Sequence, residues 1–234
     1  MRILIENMKK VYQKLKQPTE QSNTSNTTKI ILQDVSPNYR NPAVGDLAIK
    51  YEVGNRGVGY ISNGSSWGDP GGDSYGPYQL ETKKGTMQAY LKRNDKFTEA
   101  LSKYQINSED FKASWRALAQ QDPNGFKKSQ FDFLAEKKEG YYDAIDCARK
   151  LGWDVDNFAL CSAIFSTSNQ SGGWRRGIFM PSGINKNDDI KTQINKLYDA
   201  RAAYFKKIKL PQNVRSSIIK SRTIDERKDC LKLI

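Results

Sequence analysis

The chain has 234 residues, with 38 Lys and Arg against 26 Asp and Glu, a formal net charge of +12. Hydrophobic residues make up 37% and aromatic residues 11%, a very polar but foldable composition with room for one substantial core. With no histidine anywhere, Ser-His-Asp and Cys-His catalysis and histidine-ligated metals are excluded, so proton chemistry falls mainly to carboxylates.

Taken in chain order, Ile3, Ile5, Met8, Val11, Tyr12 and Leu15 recur near helical spacing and predict a short amphipathic helix over 3–16. The polar run QPTEQSNTSNTT (17–28) follows and reads as a linker. Two regions are therefore expected: an N-terminal helix and linker over 1–29, and a main domain over 30–234. MRILIENMKKVYQKLK lacks the long apolar core and cleavage site of a secretory signal, and no transmembrane stretch is present.

PAVGDLAIKY (42–51) predicts a helix leading into Glu52. Eight of the seventeen glycines then fall between Gly54 and Gly76. GYISNG and SYGPYQL put β-branched and aromatic residues around turn signals there, which predicts a small β-region. Beyond Gly85 the pattern is helical. Ser108 followed by Glu109 and Asp110 marks one helix start, and Asp122-Pro123 another. Asn157–Thr167 (NFALCSAIFST) is apolar nearly all round and predicts a buried central helix, stopped by Gly172 and Gly173. A long amphipathic helix over 188–207 and a shorter basic tail helix from Pro211 complete a mainly α (α+β) architecture.

The three cysteines, Cys147, Cys161 and Cys230, lack the paired spacing of a disulfide framework or a zinc site. Cys147 and Cys161 lie among apolar residues and read as buried free thiols. The excess of positive charge suits a polyanionic partner. Because the lysines are dispersed along amphipathic segments and no nucleic-acid motif is present, nucleic acid is the weaker candidate; an anionic wall polymer or plain solubility fits as well.

Four carboxylates frame the glycine-rich stretch: Glu52, Asp69, Asp73 and Glu81. Glu52 lies between Tyr51 and Val53, a setting that suits a proton-donating carboxyl. Asp69 lies in GDPGGDS, where backbone N–H groups and hydroxyls would keep an aspartate ionised. Two carboxylates in opposed environments meet the needs of glycoside hydrolysis, and glycines allow a sugar chain to approach the backbone. Tyr60, Trp67, Tyr75 and Tyr78 offer flat faces for sugars. The same residues are also good turn chemistry, and calcium-loop and phosphate-loop registers are absent.

Glu52, GDPGGDSYGPYQL (68–80) and FSTSNQSGG (165–173) together resemble a family of lysozyme-like peptidoglycan hydrolases. Its members occur as muramidase extensions of type VI secretion spike proteins and in phage lytic or tail-associated proteins, with a distant likeness to chitosanases. Gly68, Asp69, Gly71, Gly72, Ser74, Tyr75, Gly76, Tyr78 and Gln79 match the first motif; Ser166, Thr167, Gln170 and Gly172 match the second. Phe165 stands where the family has Trp, and Ser171 where it has His. The resemblance implies a lysozyme-like helical fold with a small β-hairpin, cleaving β-1,4 bonds of peptidoglycan without metal or organic cofactor. Glu52 carries over as general acid and Asp69 as second carboxylate, with Asp73 the other candidate for that role. Asp73, Ser74, Tyr75, Tyr78, Gln79, Thr167 and Gln170 are the candidate substrate-binding residues; hydrogen bonding within the hairpin for Ser74 and Gln79, a place in the core for Tyr75 and Tyr78, and helix-end backbone contacts for Thr167 and Gln170 are the structural alternatives.

Peptidoglycan is the implied partner, with anionic wall polymers as secondary ones. A phage particle or a secretion apparatus, reached through the N-terminal segment, would deliver the protein to the wall or periplasm. A chitosanase-type hydrolase, or a non-catalytic wall-binding or virion module, are the alternatives.

Overall fold

The computed structural model describes residues 37–67 and 71–234. The expected N-terminal helix, the linker, the domain start near Ile30 and Asp69 lie outside the described residues, as does the side chain of Trp67.

The described chain is helical around a three-stranded sheet of two-residue strands, which is the mainly α (α+β) architecture expected. Asn41 accepts a hydrogen bond from Ala43 N at 3.0 Å and starts a 3-10 turn, Pro42–Gly45, that runs into α1 (Asp46–Glu52). A loop leads to β1 (Ile61–Ser62), β2 (Ser74–Tyr75) and β3 (Leu80–Glu81), antiparallel in the order β1-β2-β3. Register sets Ile61 opposite Tyr75 and Ser62 opposite Ser74, then Ser74 opposite Glu81 and Tyr75 opposite Leu80.

Then come α2 (Thr86–Leu91), α3 (Lys96–Leu101), α4 (Glu109–Gln121), α5 (Pro123–Glu136) and α6 (Tyr141–Lys150). The starts read from the sequence are observed caps: Ser108 Oγ accepts from Phe111 N at 3.1 Å and Asp122 Oδ1 from Gly125 N at 2.8 Å. Each satisfies a backbone donor that the first helical turn leaves unpaired.

Helix α7 (Phe158–Gln170) is the central helix predicted, capped by Asn157 and buried continuously from Ala159 to Ser168. It packs against α1, α6, α8 (Ile190–Lys207) and α10 (Glu226–Leu231). A helix touched on all sides has no polar face, which is why its sequence is apolar nearly all round. Its Phe165 ring stacks on Phe131 of α5 at 5.2 Å and lies 5.6 Å from Tyr78 beside the sheet. One aromatic side chain thus joins the helices to the hairpin.

Two sequence readings are corrected. Cys147 is only half-buried, whereas Cys161 and Cys230 are fully buried; all three are free thiols. The tail is more than a short basic helix. After α9 (Gln212–Ile219), residues Lys220–Asp225 form a π-helical segment that continues into α10. Arg222, Thr223, Glu226 and Cys230 of this tail point into the core. Hydrophobic periodicity misses such a stripe because half of its inward side chains are charged.

Candidate active site

Glu52 is the last residue of α1, and its side chain retains 26% exposure. Its Oε1 accepts a hydrogen bond from Nη2 of Arg222, in the π-helical segment of the tail. Arg222 also donates through Nη1 to Glu226 Oε2 at 3.2 Å and to the Ala48 carbonyl at 3.4 Å. The π-helical turn, a feature often found at functional sites, sets Arg222 so that one guanidinium reaches back to α1 and forward to α10.

Glu226 is completely buried, and its Oε1 accepts from Arg201 Nη1 at 2.8 Å and from the Tyr198 hydroxyl at 2.9 Å. Arg201, also completely buried, donates through Nη2 to Gln170 Oε1 at 2.5 Å and to Ser166 Oγ at 3.2 Å. The chain of contacts Gln170–Arg201–Glu226–Arg222–Glu52 therefore crosses the domain from the end of α7 to the end of α1. Two buried guanidinium groups share one buried carboxylate, and Glu52 supplies the second negative charge that balances them. Buried charges persist only when paired and hydrogen-bonded. The network also bears on Tyr198, whose hydroxyl is pushed well up by burial and then by the charge of Glu226.

A second tie holds the tail to the same helix. Asp229 Oδ2 accepts from Lys50 Nζ at 2.5 Å and from the Tyr51 hydroxyl at 2.6 Å, while its Oδ1 accepts from Lys232 at 2.7 Å. Lys232, then Lys50 and Tyr51, hold the Asp229 carboxyl well below the usual carboxylate range. Both flanks of α1 are thus clamped by side chains more than 160 positions away in sequence.

The expected substrate-binding residues divide. Asp73 and Ser74, on and before β2, are both buried, and Asp73 O accepts from Thr82 N at 3.0 Å. Tyr75 is fully buried, with its ring 5.4 Å from Phe111 and 5.2 Å from Trp115 and its hydroxyl donating to Asn107 at 2.8 Å. Tyr78 is buried against Phe165. These rings support the hairpin from beneath and present no face to the surface. Gln79 has a positive φ of 54° and donates to the Gly76 carbonyl at 3.0 Å, so its side chain closes the turn between β2 and β3. Thr167 is fully buried and donates to the Ala163 carbonyl of its own helix at 2.8 Å. Gln170 belongs to the arginine network. Of the four aromatic faces considered for sugar, Tyr60 alone among the described side chains stays half-exposed, with Arg56 over its ring at 4.8 Å.

Open space lies beside α1. A cavity of about 420 Å³ is bounded by Ile49, Lys50, Gly54, Gly57, Pro77 and Lys127, between the helix, the glycine-rich loop and the hairpin turn. Another, of about 430 Å³, lies against Leu47, Phe158, Asp229 and Leu233. Glu52 lines neither. Among the described residues, no group of three or more Cys, Asp or Glu side chains could hold a metal ion. No described helix is long and apolar enough to cross a membrane.

Fold and site together define a class: a helical domain with a minimal antiparallel sheet, a glycine-rich hairpin, and a glutamate held at a helix end by a buried arginine–carboxylate network. Residues 44–227 match the family model for the C-terminal region of type VI secretion system spike proteins of the VgrG3-like kind, and the chain belongs to that family. The type VI secretion system spike protein VgrG3 of Vibrio cholerae serotype O1 is 35% identical over 139 residues, which is 58% of this chain and 13% of that protein. The chain thus corresponds to a small part of the relative it matches. Glu52, Gln170, Arg201, Arg222 and Glu226 all lie within residues 44–227.

Proposed function

We propose that this protein is a glycoside hydrolase that cleaves β-1,4 bonds of bacterial peptidoglycan, a muramidase. Glu52 is the general acid, protonating the glycosidic oxygen. Asp69 is the second carboxylate, positioning water or stabilising the cationic sugar, with Asp73 as the other candidate. The observation that carries the reading is Glu52 itself: a half-exposed carboxylate, ending a helix beside a glycine-rich hairpin and fixed by a buried network. One buried arginine holds Glu52 and is itself held by the buried Glu226–Arg201 pair, an arrangement that fixes the position of the glutamate.

In the resting state Glu52 is an acceptor for Arg222, so donating a proton requires it to exchange this contact for the leaving oxygen. The glycine-rich loop and the hairpin turn that bound the cavity by Pro77 frame the glycan, and the net charge of +12 draws the anionic wall toward the domain. Membership in a spike-protein family supports delivery by a secretion apparatus to the periplasm of a target cell.

A wall-binding module that does not cut is the second reading, favoured by the engagement of Glu52 with Arg222. A digest of purified peptidoglycan, analysed by mass spectrometry, separates the two. New reducing N-acetylmuramic acid ends made by wild type and not by Glu52→Gln fit the muramidase. Reducing N-acetylglucosamine ends would move the cut to the other bond. Sedimentation of both proteins with the wall, without release of fragments, would leave the binding module.

A further inference from the structure

The structure assigns to Gln170, Arg201 and Glu226 a role as positioning residues for Glu52, acting through Arg222. The functional weight of this inference rests on the hydrolase reading; its structural content does not. The SNQSGG end of α7 thereby reaches the candidate general acid without touching sugar.

Arg201 and Glu226 have no exposed side-chain surface, and Arg222 retains only 4%. None can exchange its partner for water, so each geometry is dictated by its neighbour. A guanidinium is a rigid planar fork that cannot rotate about one hydrogen bond without breaking the others. Arg201 uses Nη1 for Glu226 and Nη2 for Gln170 and Ser166. Displacing Gln170 therefore tilts the fork and shifts the oxygen of Glu226 that it holds. Glu226 in turn presents its other oxygen to Arg222, which reaches Glu52 with its remaining nitrogen. The three central members, Arg201, Glu226 and Arg222, are each both buried and bridging, so a shift at one end is passed along the relay.

Alternatives for Gln170 are weaker. Its side-chain oxygen accepts from Arg201 at 2.5 Å, so one of its acceptor positions is already committed to the network. Ser166, the other acceptor for the same nitrogen, is itself buried. The polar residues of the second motif, Ser166 and Gln170, thus face Arg201, while Thr167 turns back to its own helix.

The test uses Gln170→Leu, which keeps bulk but removes the acceptor, with Arg201→Lys as a second variant that keeps charge but loses the fork. The protein is made with carboxyl-¹³C glutamate, and the Glu52 signal is identified by its loss in Glu52→Gln. The expected result is that Gln170→Leu moves the Glu52 carboxyl resonance, although the two residues do not touch. Alongside it, kcat for release of wall fragments falls about tenfold with KM unchanged. A direct sugar contact would instead raise KM and leave the Glu52 resonance in place, which overturns the relay. An unmoved resonance in both variants overturns it as well. If the resonance moves in a protein that releases no fragments, the relay stands and the muramidase reading falls.

Discussion

Arg222 holds Glu52 from 170 positions further along the chain, with its guanidinium shared between that glutamate and the fully buried Glu226. The end of α1 is therefore a product of the C-terminal tail as much as of its own sequence. A carboxylate that ends a helix meets the partial negative charge of that end, and the tail supplies the positive group that offsets it.

Removing Glu226 tests the centre of the network. Glu226→Gln leaves two buried guanidinium groups facing a neutral amide. Breaking a buried charge pair in this way costs about 3–5 kcal/mol. Urea unfolding monitored by tryptophan fluorescence gives the change in midpoint at constant slope, and a loss below about 1 kcal/mol would mean that the arginines find other partners.

Glu52→Gln removes the half-exposed end of the same chain of contacts. Arg222 keeps Glu226 and the Ala48 carbonyl, so the expected loss of stability is smaller, about 1–2 kcal/mol. Far-UV circular dichroism should be unchanged. Wall-fragment release should vanish, which separates loss of chemistry from loss of fold.

Gly76 marks where the hairpin cannot accept a side chain. Its φ is 75°, and a Cβ there would lie 2.1 Å from Gln130 Oε1 and 2.9 Å from the Trp115 ring. Trp115 is fully buried and contacts Tyr75, Tyr90 and Phe126, so it has nowhere to move. Gly76→Ala should destabilise the domain by more than about 2 kcal/mol, combining strain with overpacking. A thermal melt against wild type measures it.

Asp229 gives the tail an acid-sensitive tie. Its carboxyl is depressed in the folded state by Lys232, Lys50 and Tyr51, so its contribution is fully present above the ordinary aspartate value of about 3.9. That contribution is lost as pH falls from there toward the depressed value. Asp229→Asn should lower stability at pH 7 and have progressively less effect as pH is lowered below about 3.9. Denaturation midpoints of both proteins at a series of pH values should converge at the acid end.

Association with wall polymer should depend on salt. The net charge of +12 comes from lysines and arginines dispersed along the chain, and screening shortens its reach to about 10 Å at 0.1 M ionic strength. Sedimentation with purified wall should fall steadily between low and high salt for wild type and for Glu52→Gln alike.

Several helix starts were legible in the sequence because the signals for them are local. Ser108, Asp122 and Asn157 cap helices where their side chains meet an unpaired N–H two or three residues on, and no distant contact is needed to find them. The run from Phe158 to Thr167 announces a central helix because burial on every side removes polar residues from every face. The glycine-rich stretch announces a small sheet and tight turns because positive φ at Gly72 and Gly76 favours glycine. Glu52 could be singled out from its position at the end of one pattern and the start of another.

What only the tertiary structure decided is which side chains meet. Tyr75 and Tyr78 look equally suited to a sugar platform or a core, and three-dimensional packing against Trp115 and Phe165 buries both. Arg222 and Glu226, four apart in a basic tail, read like any exposed helical ion pair; what buries them is the docking of α10 against α7 and α8. Gln170, Arg201, Glu226, Arg222 and Glu52 come from four helices and a π-helical segment, and nothing in the sequence around any of them marks the other four as its partners. A local pattern records what a residue's own element requires. The balance of two buried arginines against two glutamates is a requirement of the assembled core, and it exists only once the tail has folded back onto α1.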